Sequence, residues 1–200
     1  AVAKKVIDLS KQVWTWGNVN LTYTGKPQSI EMTIPTEIAE YVKLDYDNTA
    51  EGRTNTATNV GTYTAAAVLT PKDPANVRFD GNNDTEQSSR TITKEWTINK
   101  ADWTYNAAQG TSVCYGSAQD VVITPASLGL PAEKCAADIT IGTGEDLLHT
   151  GYSIDKETGN VTISLRETTL AEATANATDT FTLKYTFDNY NDVTITYTIT

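Results

Sequence analysis

A chain of 200 residues, 39% hydrophobic and 20% charged, can bury one large core or two smaller ones and is too apolar to stay disordered. Its formal charge of −10 excludes the basic footprint that nucleic acid or an anionic membrane surface requires. No apolar run approaches the roughly 18 residues needed to cross a membrane as a helix.

The predicted elements are strands almost throughout. In chain order, period-2 alternation marks strands near residues 29–34, 41–46, 61–69, 90–98, 120–123, 151–154, 161–165, 181–187 and 193–200. Ile92, Trp96 and Ile98 share one face of their run. Phe181, Leu183, Tyr185 and Phe187 share another, and Val193, Ile195, Tyr197 and Ile199 a third. The intervening positions are rich in Thr, of which the chain holds 35, with 16 in residues 1–100 and 19 in residues 101–200. Thr is β-branched and polar, which suits the wet face of a strand. Breaker-rich segments at 24–27, 71–74, 80–84 and 156–160 separate the runs. Helical periodicity is weak; a turn after Pro131 within 127–138 and another within 168–177 are the helical expectations.

The two halves echo each other. Trp14-Thr-Trp16 opens the first and Trp103-Thr-Tyr105 the second. Trp96-Thr-Ile98 closes the first and Tyr197-Thr-Ile199 the second. The spacing predicts a divergent repeat and an all-β chain of two tandem immunoglobulin-like β-sandwich modules, residues 1–100 and 101–200. The junction at 99–102 is too short to act as a free coil, which predicts a stiff, end-to-end pair. The halves differ in charge. The first carries 11 Lys+Arg against 12 Asp+Glu, the second 4 against 13. The chain starts abruptly and stops within a strand-like run, as a piece of a longer protein would.

Three motifs carry a resemblance. Leu21-Thr-Tyr-Thr-Gly-Lys-Pro-Gln28, Thr58-Asn-Val-Gly-Thr-Tyr-Thr-Ala65 and Trp96-Thr-Ile-Asn-Lys-Ala101 follow one another in order. Together they resemble the MBG-type repeats of bacterial surface proteins, across most of residues 14–101. Asn-Val-Gly stands where Ala-Gly is usual, and residues 80–89 look like an inserted loop. In the second half Asn189-Tyr190 is similar to the family's N-Y element, and residues 151–163 resemble a hairpin common in bacterial immunoglobulin-like modules. The resemblance implies an extracellular, cell-surface or cell-wall location and a non-enzymatic stalk or adhesion role. It implies neighbouring domains of the same chain as partners, with a host or environmental glycan or protein as a further partner. It carries over no catalytic residue and no cofactor. The segment is expected to be a monomer that inserts in no membrane.

Candidate special residues are few. Gly61 and Tyr63 have the spacing of a corner in which the tyrosine hydroxyl returns to the backbone. Cys114 and Cys135 form a disulfide in one reading and two buried free thiols in the other. Neither lies in a Cys/His cluster, so no metal site is expected. His149, the single histidine, reads as a solvated loop residue with no nucleophile motif nearby. Asp80, Asn82 and Asp84 alternate as calcium-loop ligands do, but Thr85 and Thr91 break that pattern, and an ordinary turn accounts for them. Trp14 and Trp16 are two apart, so a strand would show both on one face, where flat rings can stack on sugars. Packing into a core or a junction is the plainer reading. For a Lys–Asn cross-link, Lys43 and Lys184 lie in strand-like runs, but Lys184 alternates onto the polar face and no acid completes a trio.

Overall fold

The structure, a computed structural model, describes residues 3–80, 86–113, 119–142, 148–166 and 178–200. The fold is all-β, and the chain divides into two compact units, Ala1–Asn99 and Lys100–Thr200.

The first unit contains β1 (Lys5–Ile7), β2 (Thr15–Trp16), β3 (Asn20–Thr22), β4 (Gln28–Ser29), β5 (Met32–Thr33) and β6 (Val42–Tyr46). β7 (Thr56–Ala57), β8 (Gly61–Pro71), β9 (Val77–Asp80), β10 (Glu86–Gln87) and β11 (Arg90–Asn99) complete it. Its main sheet runs β3-β11-β8-β6. The long antiparallel pair β8–β11 is its spine, in register from Arg90 opposite Leu69 to Ile98 opposite Gly61. Alternation sets which face is buried: Trp96 and Ile98 are buried, while Thr91 and Glu95 face solvent. The opposing layer is built of short pieces, β2-β5 and β4-β7.

The run expected at 29–34 is therefore two strands. Ile30 and Met32 enter different cores, and β4 and β5 pair with different neighbours. A separate three-stranded sheet, β1-β9-β10, grows from the β8–β11 connection. Neither β1 nor β9 was expected, because three or four residues carry too few alternations to register. Long-range pairing with each other defines them.

The second unit contains β12 (Ala108–Thr111), β13 (Val121–Ile123), β14 (Cys135–Ile141) and β15 (His149–Ile154). β16 (Val161–Leu165), β17 (Asp179–Phe187) and β18 (Val193–Ile199) follow. Sheet β12-β18-β17-β14 faces sheet β13-β16-β15 across one core of Phe181, Leu183, Tyr185, Ile163, Ile195 and their neighbours. This is the two-sheet arrangement of an immunoglobulin-like sandwich. In both units the last strand pairs in parallel with an early strand, β3 with β11 and β12 with β18.

The helical turn expected after Pro131 is corrected. The turn precedes that proline, with Leu128 and Leu130 amides donating to Pro125 O, and the chain becomes strand from Cys135. Cys135 and Ile139 alternate inward against β17, and cross-strand burial overrides the weak helical pattern. A 3-10 turn, Leu9–Lys11, is capped by Asp8, whose side chain accepts from the Ser10 amide. The turn expected at 168–177, and positions 81–84 of the calcium-like loop, lie outside the described residues.

Candidate functional site

In the first unit the corner residues meet. Tyr63 donates its hydroxyl to Asn59 O at 2.7 Å, and its ring lies 5.1 Å from that of Trp96. A Cβ on Gly61 would stand 3.2 Å from the Tyr63 hydroxyl and Cζ, so glycine lets the ring fold back over the strand start. Trp96 is buried and donates Nε1 to Thr54 O at 2.9 Å. Trp14 and Trp16 are both half-buried. Trp14 packs on the core around Leu9 and Phe79, and Trp16 touches that core and the one around Trp96. Both rings are engaged in packing rather than forming an open platform.

In the second unit three connections gather at one end of the sandwich. Glu133, between β13 and β14, accepts the backbone N–H of Asn189 and its Nδ2, both at 3.0 Å, and Asn189 lies between β17 and β18. Trp103, 37% exposed, donates Nε1 to Gly129 O at 2.8 Å and meets Tyr190 edge-on at 5.1 Å. A cavity of about 260 Å³ lies beside Pro125, Leu130, Pro131, Glu133, Thr158 and Asn160. Its walls are mainly apolar, and its one carboxylate is occupied by Asn189.

His149 corrects the sequence expectation of a solvated loop residue. It is 4% exposed at the start of β15, with Nδ1 2.5 Å from Oδ2 of the fully buried Asp179. The same oxygen accepts the N–H groups of Leu148 and His149. A buried carboxylate is expensive unless it is held in this way. The sequence showed nothing of it, because the pair is 30 residues apart and joins different strands.

Among the described residues Cys135 is a free, buried thiol, and burial raises its pKa, with a smaller push from Glu133. Cys114 lies outside the described residues, and the disulfide reading lies there with it. Tyr185 is buried with no hydrogen-bond partner for its hydroxyl among the described residues, and burial pushes its pKa up to about 12. Among the described residues no group of three or more His, Cys, Asp or Glu could hold a metal ion. Lys43 pairs with Asp45 and Lys184 with Asp192, both at the surface. No helix among the described residues is long and apolar enough to cross a membrane.

These sites define a pair of immunoglobulin-like β-sandwich units whose polar side chains serve mainly to lock strands and loops. No family profile and no curated protein matches the chain. Among solved structures it is similar to human mucin-like protocadherin EC1-2, at 10% identity and a TM-score of 0.33, covering 94% of this chain and 97% of that one. A SusE-like, surface-located polysaccharide-binding protein from the heparin utilisation locus of Bacteroides thetaiotaomicron matches at 12% and 0.33, covering 93% of this chain and 33% of that one. Domains 4 and 5 of the S-layer protein SbsC match at 15% and 0.32, covering 84% and 81%. At TM-scores this low the likeness transfers no function.

Proposed function

We propose that this chain is a non-enzymatic spacer from the surface of a bacterial cell, of the MBG type, carrying neighbouring domains of its parent chain. The observation that supports a stiff spacer is the junction. Asn99 belongs to the first unit: its Nδ2 donates to Leu21 O, and its carbonyl accepts the Tyr23 N–H. Lys100 already belongs to the second, donating Nζ to Phe187 O. Ala101 donates to Asn189 O and accepts the Asn191 N–H, and Asp102 accepts Asn191 Nδ2. Each residue from 99 to 102 is thus hydrogen-bonded within one unit or the other.

The test is backbone ¹⁵N relaxation of the intact chain. A spacer of this kind gives both units one overall tumbling time, and inserting four Gly-Ser residues after Asn99 splits it. Two independent tumbling times in the parent chain would overturn the reading.

A second reading, carbohydrate binding through an exposed aromatic ring, moves from Trp14 and Trp16 to Trp103. That indole is partly exposed and held in one orientation by Gly129 O. A glycan array gives signal that Trp103→Ala removes if this reading holds, and no signal from either protein if the chain is a spacer alone.

A further inference from the structure

We infer that the second unit is closed by an inter-sheet latch, His149–Asp179, standing where the first unit uses its tyrosine corner, and that this latch controls whether edge strand β15 stays on the sandwich. The inference rests on the fold and is independent of the spacer reading.

Register establishes the equivalence. In the first unit Gly61 lies opposite Ile98 and Tyr63 opposite Trp96. In the second, Asp179 lies opposite Ile199 and Phe181 opposite Tyr197. Trp96-Thr-Ile98 and Tyr197-Thr-Ile199 close their units in the same way, so Asp179 occupies the place of Gly61 and Phe181 that of Tyr63. Phe181 has no hydroxyl and cannot make the bond that Tyr63 makes to Asn59 O. A different tie starts from the same strand position. Asp179 Oδ2 gathers the Leu148 N–H at 3.1 Å, the His149 N–H at 3.0 Å and His149 Nδ1 at 2.5 Å. The imidazole then rests edge-on against Phe181, 5.0 Å between centroids.

The two ties differ in what they hold. The Tyr63 bond is local, spanning four residues. The His149 bond crosses the core: β15 belongs to sheet β13-β16-β15 and β17 to the facing sheet. Among the described residues β15 is an edge strand, paired with β16 alone, and its register slips between His149 and Gly151. An edge strand with a bulge has weak ladder support at that end. The latch supplies what the ladder lacks, and its loss frees β15 before the rest of the unit.

Native-state hydrogen exchange of the full chain, read by peptide, tests this. His149→Phe keeps a ring against Phe181 but removes the Nδ1 donor. Exchange at 150–154 is expected to rise roughly tenfold or more, with β14 and β18 changing little and β8 and β11 not at all. His149→Asn returns an N–H donor and is expected to restore protection to within roughly threefold of the parent. Unchanged exchange at 150–154 in His149→Phe would overturn the latch. So would an equal rise across β13, β14 and β18, or no rescue by Asn. If His149→Phe does not fold, the parent protein decides: the latch requires 150–154 to exchange through a sub-global opening, whereas exchange only at the rate of the whole unit overturns it.

Discussion

The two units build the same parallel closure and the same four-stranded main sheet, yet they fill their interiors differently. The first divides its apolar residues between two cores, one around Leu9, Val42, Leu69 and Phe79 and the other around Ile30, Ala65, Trp96 and Ile98, with Trp16 touching both. The second gathers its buried residues into one core with three buried aromatic rings on β17 alone: Phe181, Tyr185 and Phe187. The first unit ties its layers with neutral bonds, Met32 N–H to Tyr46 Oη and Trp96 Nε1 to Thr54 O. The second uses a histidine and a carboxylate. The lesson is that one sheet topology tolerates both solutions, because backbone pairing sets the frame and the interior needs only volume and satisfied polar atoms.

The largest way to break this comparison is Trp96→Ala. It removes the biggest side chain of the smaller core and leaves Thr54 O without its donor, for an expected loss of about 3–5 kcal/mol. Urea denaturation measures it. If the two cores are separable, β1 and β9 keep their exchange protection while β3 and β11 lose theirs; simultaneous loss would show that Trp16 welds them into one.

Gly110→Ala comes next and probes the closure common to both units. A Cβ there would lie 2.3 Å from Thr198 O, so β12 must move away from β18. A loss of about 1–3 kcal/mol is expected, with the amides around 196–200 exchanging first. Unchanged β12–β18 cross-strand NOEs would show that the close approach is not required.

Tyr63→Phe removes one hydrogen bond from the corner and should cost about 0.5–1.5 kcal/mol. An unfolding midpoint equal to the parent's would show that ring packing on Trp96 alone makes the corner.

The smallest effects are titrations. The Thr49 hydroxyl and amide, helped by Arg53, hold Asp47 down at about 2. A depressed carboxylate stabilises the fold above its unfolded value, near pH 4, and that contribution fades as pH falls toward 2. In the second unit Tyr185, pushed up to about 12 by burial, acts in the opposite window. Its neutral form is favoured, so its contribution is present below pH 10 and is lost as pH rises through 10 to 12. NMR titration of the Asp47 carboxyl and ultraviolet titration of the tyrosines check both. Midpoints near 4 and 10 would remove the asymmetry between the units.

Much of the strand layout was legible. The runs at 61–69, 90–98, 161–165 and 193–200 correspond to β8, β11, β16 and β18, because each is long enough for alternation to be read. The corner was legible in Gly61 and Tyr63 because its bond is local, from Tyr63 to Asn59 four residues away. The short strands were not legible, because β1 exists through its pairing with β9 and β12 through its pairing with β18. His149 was misread for the same reason. A loop-like context says nothing about a carboxylate 30 residues later that reaches it across a core.

By itself, then, the sequence determined the β class, the wet Thr faces and the corner, since each depends on spacing within a few residues. Tertiary structure alone decided which rings are buried, where β1 and β12 pair, and that His149 meets Asp179. Each of these is a long-range contact, and its partner is set by the closing of the sandwich rather than by any neighbour in the chain.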